Sequence, residues 1–156
     1  MGTLLSEGVE KSLATNLQVL VDAGAELLVG NTAADDGRFC YANTLLKVTA
    51  EQFLADPEVM QTEAFGNSSL LLVADTVDQL VQVVASLEGN LTGCIYSSSE
   101  GADDEAYDQI GGEMRVKVGR LLNDKMPTGV AVSAAMNHGG PFPATGHPAF
   151  TAVGIP

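Results

Sequence analysis

The sequence has no tryptophan, two cysteines, two histidines, and 7 Lys+Arg against 20 Asp+Glu, a formal net charge of −13 over 156 residues. Each shortage excludes something. Without clustered Lys and Arg the chain cannot neutralise a phosphate backbone, so no nucleic-acid partner is expected, and an anionic membrane surface is excluded on the same ground. Two Cys and two His, with no C-x-x-C pair, cannot build a zinc site. No apolar run approaches the roughly 18 residues of a membrane span, and no basic segment followed by an apolar one stands at the N-terminus. No G-x-G-x-x-G, no G-x-x-x-x-G-K-[ST] and no G-x-S-x-G occurs, so two common phosphate cradles and the hydrolase nucleophile elbow are missing. A cytoplasmic, reducing setting is expected from these features. Asn67-Ser-Ser, Asn90-Leu-Thr and Met1-Gly2 with Ser6 fit modification patterns and are read as accidental.

What is present suits one packed domain over 1–156: 46% of the residues are hydrophobic and only 17% charged. Leu5, Val9, Leu13, Leu17, Leu20 and Val21 recur at helical spacing, and Gly24 stands where a helix-ending glycine belongs. Ala25–Gly30 reads as a short strand and Phe39–Thr49 as a longer β-prone run. Thr49-x-x-Gln52 and Thr76-x-x-Gln79 are capping-box patterns, each opening a helix. Val77, Leu80, Val81, Val84 and Leu87 carry the second helix to Gly89. Leu70–Val73 is a continuous apolar run, expected as a strand buried on both faces; Thr92–Tyr96 and Val118–Leu122 read as further strands. The acidic residues Asp103, Asp104, Glu105 and Asp108 suit the start of a helix between these last two, which Gly111-Gly112 should weaken at its centre. Strand, helix, strand, helix, strand over 70–122 predicts two βαβ units, hence an α/β fold: an open, mostly parallel sheet with flanking helices.

After Lys125 the composition changes. Residues 126–156 hold no Asp, Glu, Lys or Arg, but five of the six prolines. That stretch is expected to be an ordered loop region lying against a covered surface. Cys40 and Cys94 sit in strand-like runs and are expected to be structural thiols. His138 and His147, in the uncharged tail, are expected to be neither ligands nor catalysts.

One constellation stands out: Thr62-Glu63-Ala64-Phe65-Gly66. Two residues apart in extended chain, Glu63 and Phe65 point the same way, so a carboxylate can grip a sugar diol while a ring covers it. Taken alone, the pattern is read first as a solvated Glu beside a core Phe. The segment Phe39 through Glu63, followed by EAFG, resembles the aldehyde dehydrogenase superfamily, whose usual motif here is Glu-x-Phe-Gly-Pro. The resemblance runs through Val118-Gly-Arg-Leu-Leu-Asn-Asp and Gly139-Gly-Pro-Phe-Pro-Ala-Thr-Gly, and 127–154 is similar to the branch acting on 2,5-dioxopentanoate (α-ketoglutarate semialdehyde). It implies that Glu63 and Phe65 hold the nicotinamide-side ribose of NAD or NADP, and that Phe142 lies at the aldehyde substrate's mouth, with Val132 and Ser133 as weaker candidates. The family proline is Asn67 here, a departure expected to loosen the turn. The resemblance further implies a thiohemiacetal on a cysteine upstream of this chain, a catalytic domain of which this is the latter part, no activity from this part alone, and a homo-oligomeric parent. A different class of protein, a non-catalytic α/β binding or interaction module, stays open at this point.

Overall fold

The computed structural model describes residues 1–34 and 37–126. The chain forms two compact units, the first Met1–Asp75 and the second from Thr76.

In the first unit β1 (Gly2–Thr3) precedes α1 (Glu7–Asp22), β2 (Glu26–Val29), β3 (Cys40–Tyr41), β4 (Thr44–Thr49), α2 (Ala50–Ala55), α3 (Pro57–Met60) and β5 (Ser68–Val73). The expected 39–49 run is thus two strands. Ser6 caps α1, its hydroxyl accepting from the Val9 N–H at 3.3 Å. Gly24, at φ +104°, turns the chain out of the helix into β2. Leu13, Leu17 and Leu20 form the buried stripe of α1, while Leu5 lies ahead of the cap and is exposed, because the helix that would have turned it inward has not begun.

β2, β4 and β5 make a three-stranded sheet in the order β2-β4-β5, with β4–β5 parallel and β2–β4 antiparallel. α2 and α3 form the crossover from β4 to β5. Along β4, Thr44, Leu46 and Val48 are buried and their alternates are not. The same parity runs along β5, where Leu71 and Val73 are exposed at 46% and 42%. The expected two-faced burial of 70–73 is therefore corrected: β5 is an edge strand of this sheet, and one face carries the packing. An apolar run alone cannot report that.

The second unit runs α4 (Val77–Ser86), β6 (Asn90–Ile95), α5 (Asp104–Lys117) and β7 (Val118–Asn123), with β6 and β7 parallel. α4 ends at Ser86, three residues before Gly89, with Leu87 extended at its C-cap. α5 runs unbroken through Gly111-Gly112. Gly111 is buried in α5, and a Cβ there would stand 3.7 Å from Ile95 Cδ1, an ordinary packing distance. At Gly93 a Cβ would meet Met114 Sδ at 2.8 Å and Val118 Cγ1 at 2.9 Å, so the bare backbone there lets α5 lie close against β6. The α/β class with open sheets and flanking helices stands. The pairing is redistributed, however: β5 ladders with β4 and β6 with β7, so the parallel crossovers are β4–β5 and β6–β7. Periodicity marks where strands begin; which strand is a neighbour depends on side-chain fit across the sheet.

Among the described residues no helix is long and apolar enough to cross a membrane, and no cluster of three His, Cys, Asp or Glu could hold a metal ion.

Candidate functional site

The segment from Thr62 to Asn67 connects α3 to β5. α3 opens on Asp56, whose carboxylate accepts from the Val59 N–H, with Pro57 at its first position. It closes with Thr62 N–H donating to Val59 O at 3.0 Å. From there the chain leaves helical geometry and joins no ladder until Ser68.

Exposure along this segment alternates. Glu63 and Phe65 are exposed, Phe65 by 62%, while Ala64 between them is half-buried. Phe65 is therefore not the core aromatic that its residue type suggests. Among the described residues the Glu63 carboxylate has neither a hydrogen bond nor an ion pair. A free carboxylate and an uncovered ring two positions apart can take up a polyhydroxylated ligand, the carboxylate accepting from two hydroxyls at once and the ring shielding them from water.

The backbone beneath them is held. Asn16, on α1, donates from Nδ2 to Glu63 O at 2.7 Å, and Ser68 Oγ donates to Ala64 O at 2.7 Å. Gly66 is exposed, yet a Cβ there would stand 2.8 Å from Leu13 Cδ2, so the bare backbone lets the segment pass close over α1. Asn67 donates from Nδ2 to Tyr41 O at 2.8 Å and to Asn43 Oδ1 at 3.0 Å, and its own carbonyl accepts from Thr44 N–H. The expected loosening at this position is corrected: the asparagine replaces a fixed φ by bonds to β3 and to the chain entering β4. Ala64 lines a cavity of about 200 Å³ together with Leu17, Leu20, Leu46, Met60 and Leu70 and with polar residues such as Thr62 and Ser68.

Cys40 is buried in β3, its Sγ 3.7 Å from Thr3 Oγ1; Cys94, half-buried in β6, donates to the Lys125 carbonyl. Phe142, Val132, Ser133, His138 and His147 lie outside the described residues. Sequence reasoning missed Asn16. It is 47 positions from its partner, and a lone polar residue on a helix carries no signal of what it will meet.

No family model matches the chain. It is similar over 98% of its length to alpha-ketoglutaric semialdehyde dehydrogenase 2 of Azospirillum brasilense, at 35% identity over 156 residues. The alpha-ketoglutaric semialdehyde dehydrogenase of Acinetobacter baylyi is 29% identical over 97% of the chain. The chain spans 29% and 28% of the length of these two relatives. Among solved structures, the 1-pyrroline-5-carboxylate dehydrogenase from Thermus with bound NAD superposes with a TM-score of 0.67 at 23% identity, covering 89% of this chain and 25% of that one. The NAD-dependent aldehyde dehydrogenase from Sinorhizobium meliloti superposes with a TM-score of 0.64 at 22% identity, covering 83% of this chain and 24% of that one. The fold is thus shared with these two dehydrogenases, and both curated relatives carry a semialdehyde dehydrogenase name.

Proposed function

We propose that the chain is the latter part of the catalytic domain of an NAD(P)-dependent aldehyde dehydrogenase that oxidises 2,5-dioxopentanoate, and that Glu63 and Phe65 hold the nicotinamide-side ribose. The observation that carries the proposal is the exposed pair itself: a carboxylate without a protein partner beside an uncovered ring, on a segment whose backbone is fastened. A structural Phe would be packed, and a merely solvated Glu would need no bracing beneath it. The names of the two curated relatives support the substrate. When bound, NAD or NADP supplies the hydride acceptor. Glu63 accepts hydrogen bonds from the ribose hydroxyls, and Phe65 limits the sugar's excursions, so that the nicotinamide half stays placed for transfer.

Neither Cys40 nor Cys94 serves as the nucleophile in this reading. One is buried, and the other is committed to a backbone carbonyl. The chain by itself then has no aldehyde oxidation activity with either cofactor, and turnover that disappears on mutating Cys40 or Cys94 would overturn this. The parent is read as a homo-oligomer on the resemblance alone, and as cytoplasmic on its composition and cysteine usage.

The test is Glu63→Gln in the enzyme that carries this chain. The change keeps the size and removes the charge from the hydrogen bonds, each worth roughly 1.5–3 kcal/mol. Single-turnover hydride transfer should slow by about tenfold or more, while overall cofactor affinity changes less. Unchanged hydride transfer would return Glu63 to a solvated carboxylate.

A further inference from the structure

The stretch bearing Glu63 and Phe65 has no strand partner, yet it is fastened on one side by a side chain from α1 and on the other by its own Asn67. On the upstream side, Asn16 reaches across from the middle of α1 to the Glu63 carbonyl. Asn is a weak helix former, and here its carboxamide is spent on a segment 47 residues away. On the downstream side, Asn67 uses both amide hydrogens, one on Tyr41 O and one on Asn43 Oδ1, while its Oδ1 is buried and has no partner among the described residues. Its amide also lies against Gly2, where a Cβ would come within 3.0 Å of Nδ2. The donor half of Asn67 is used in full and the acceptor half is idle, so the position needs a donor. Ser68, by contrast, bonds only four residues back, to Ala64 O. It shapes the segment without locating it on the core.

We infer that Asn16 and Asn67 are positioning residues for the Glu63–Phe65 pair, fixing the backbone before and after it so that carboxylate and ring are presented at a constant separation. The inference rests on the ribose-holding reading of that pair. Glu63 and Phe65 are exposed, and among the described residues the Glu63 carboxylate makes no hydrogen bond or ion pair that would hold it. Their separation is then set only by the chain between them. A segment free to swing would have to be ordered each time a ligand bound, and that ordering would weaken binding.

Asn16→Asp and Asn67→Asp test this in the 156-residue chain. Each keeps the shape and replaces donors with acceptors, setting a carboxylate against the carbonyl it formerly bonded. Amide 15N relaxation is the readout. In the unchanged chain, the amides of Glu63, Ala64 and Phe65 should have order parameters near those of Leu70–Val73, about 0.85. In each variant the three should fall to roughly 0.6 or below while Leu70–Val73 keep their values. Unchanged order parameters at 63–65 in both variants would overturn the inference, as would an equal fall along β5, which would mark general loosening. Should Asn67→Asp not fold, Asn16→Asp decides alone, because Asn16 is half-buried in mid-helix and its carboxamide makes a single hydrogen bond.

Titration with nicotinamide mononucleotide separates the inference from the reading beneath it. That probe should shift the 63–65 amides of the unchanged chain and bind roughly threefold more weakly to the variants. No shift in the unchanged chain would defeat the ribose reading, and the relaxation result would still decide whether the two asparagines position the segment.

Discussion

Tyr41 is 4% exposed in β3, and its hydroxyl donates to Asn31 Oδ1 at 2.8 Å. Burial first, and the charge of Glu10 second, push its phenol above the ordinary range. The neutral form is favoured in the folded chain, so Tyr41 contributes stability that is full below its unfolded pKa, about 10, and is lost as pH rises through the higher folded value. The melting temperature should therefore drop steeply above about pH 10. Tyr41→Phe should flatten that drop, at the cost of the Asn31 bond at neutral pH. Tyr96→Phe should leave it nearly as steep, since Tyr96 is 64% exposed. A Tyr41→Phe chain with the same alkaline limb would rule out Tyr41 as its source. At the candidate site, Glu63 and Phe65 stood out by type and spacing, but the role proposed for them came from the family resemblance, and the exposure of Phe65 was not legible. Asn16 was not legible either, because its role exists only where α1 passes the segment.

Among the elements, α2 shows how much a short helix owes to its end. It has six residues, too few to be stable through its own hydrogen bonds. Its first turn is secured by a reciprocal pair: Thr49 Oγ1 accepts from Gln52 N–H at 3.2 Å, and Gln52 Oε1 accepts from Thr49 N–H at 2.9 Å. Gln52 also reaches Gly24 O at 3.3 Å, tying α2 to the turn that follows α1. Thr49→Ala should lower unfolding stability by about 1 kcal/mol, and Thr49→Ser by much less. Urea denaturation of the three chains checks this, and equal midpoints for all three would show the box to be idle. This cap was readable in advance because its partners are three residues apart. The exposure of alternate residues along β5 was not, because it depends on which faces and edges of a sheet are covered.

At the scale of the whole molecule the dominant number is the formal net charge of −13. Compacting that charge costs self-repulsion, and salt screens it over a Debye length of about 10 Å at 0.1 M. Screening also weakens favourable contacts such as Glu7–Lys11 at 2.6 Å, but that pair is exposed and contributes little. Repulsion should prevail, so the melting temperature should rise between low salt and roughly 0.5 M sodium chloride. A flat or falling profile would mean that attractive pairs outweigh the excess of carboxylates.

What the sequence determined by itself is local or compositional. The helices announce themselves by the spacing of residues such as Leu13, Leu17 and Leu20. Caps do so by Thr and Gln three apart, and strands by apolar runs, because each of these is written within a few neighbouring residues. Tertiary structure decided the rest. It paired β5 with β4 and β6 with β7, carried α5 through two glycines, and left Phe65 outside the core. It also turned Asn67 from a missing proline into a cross-link. All of these depend on contacts between residues far apart in the chain, whose free energy comes from shape and hydrogen-bond fit at the meeting point, and no stretch of sequence holds both partners of such a contact.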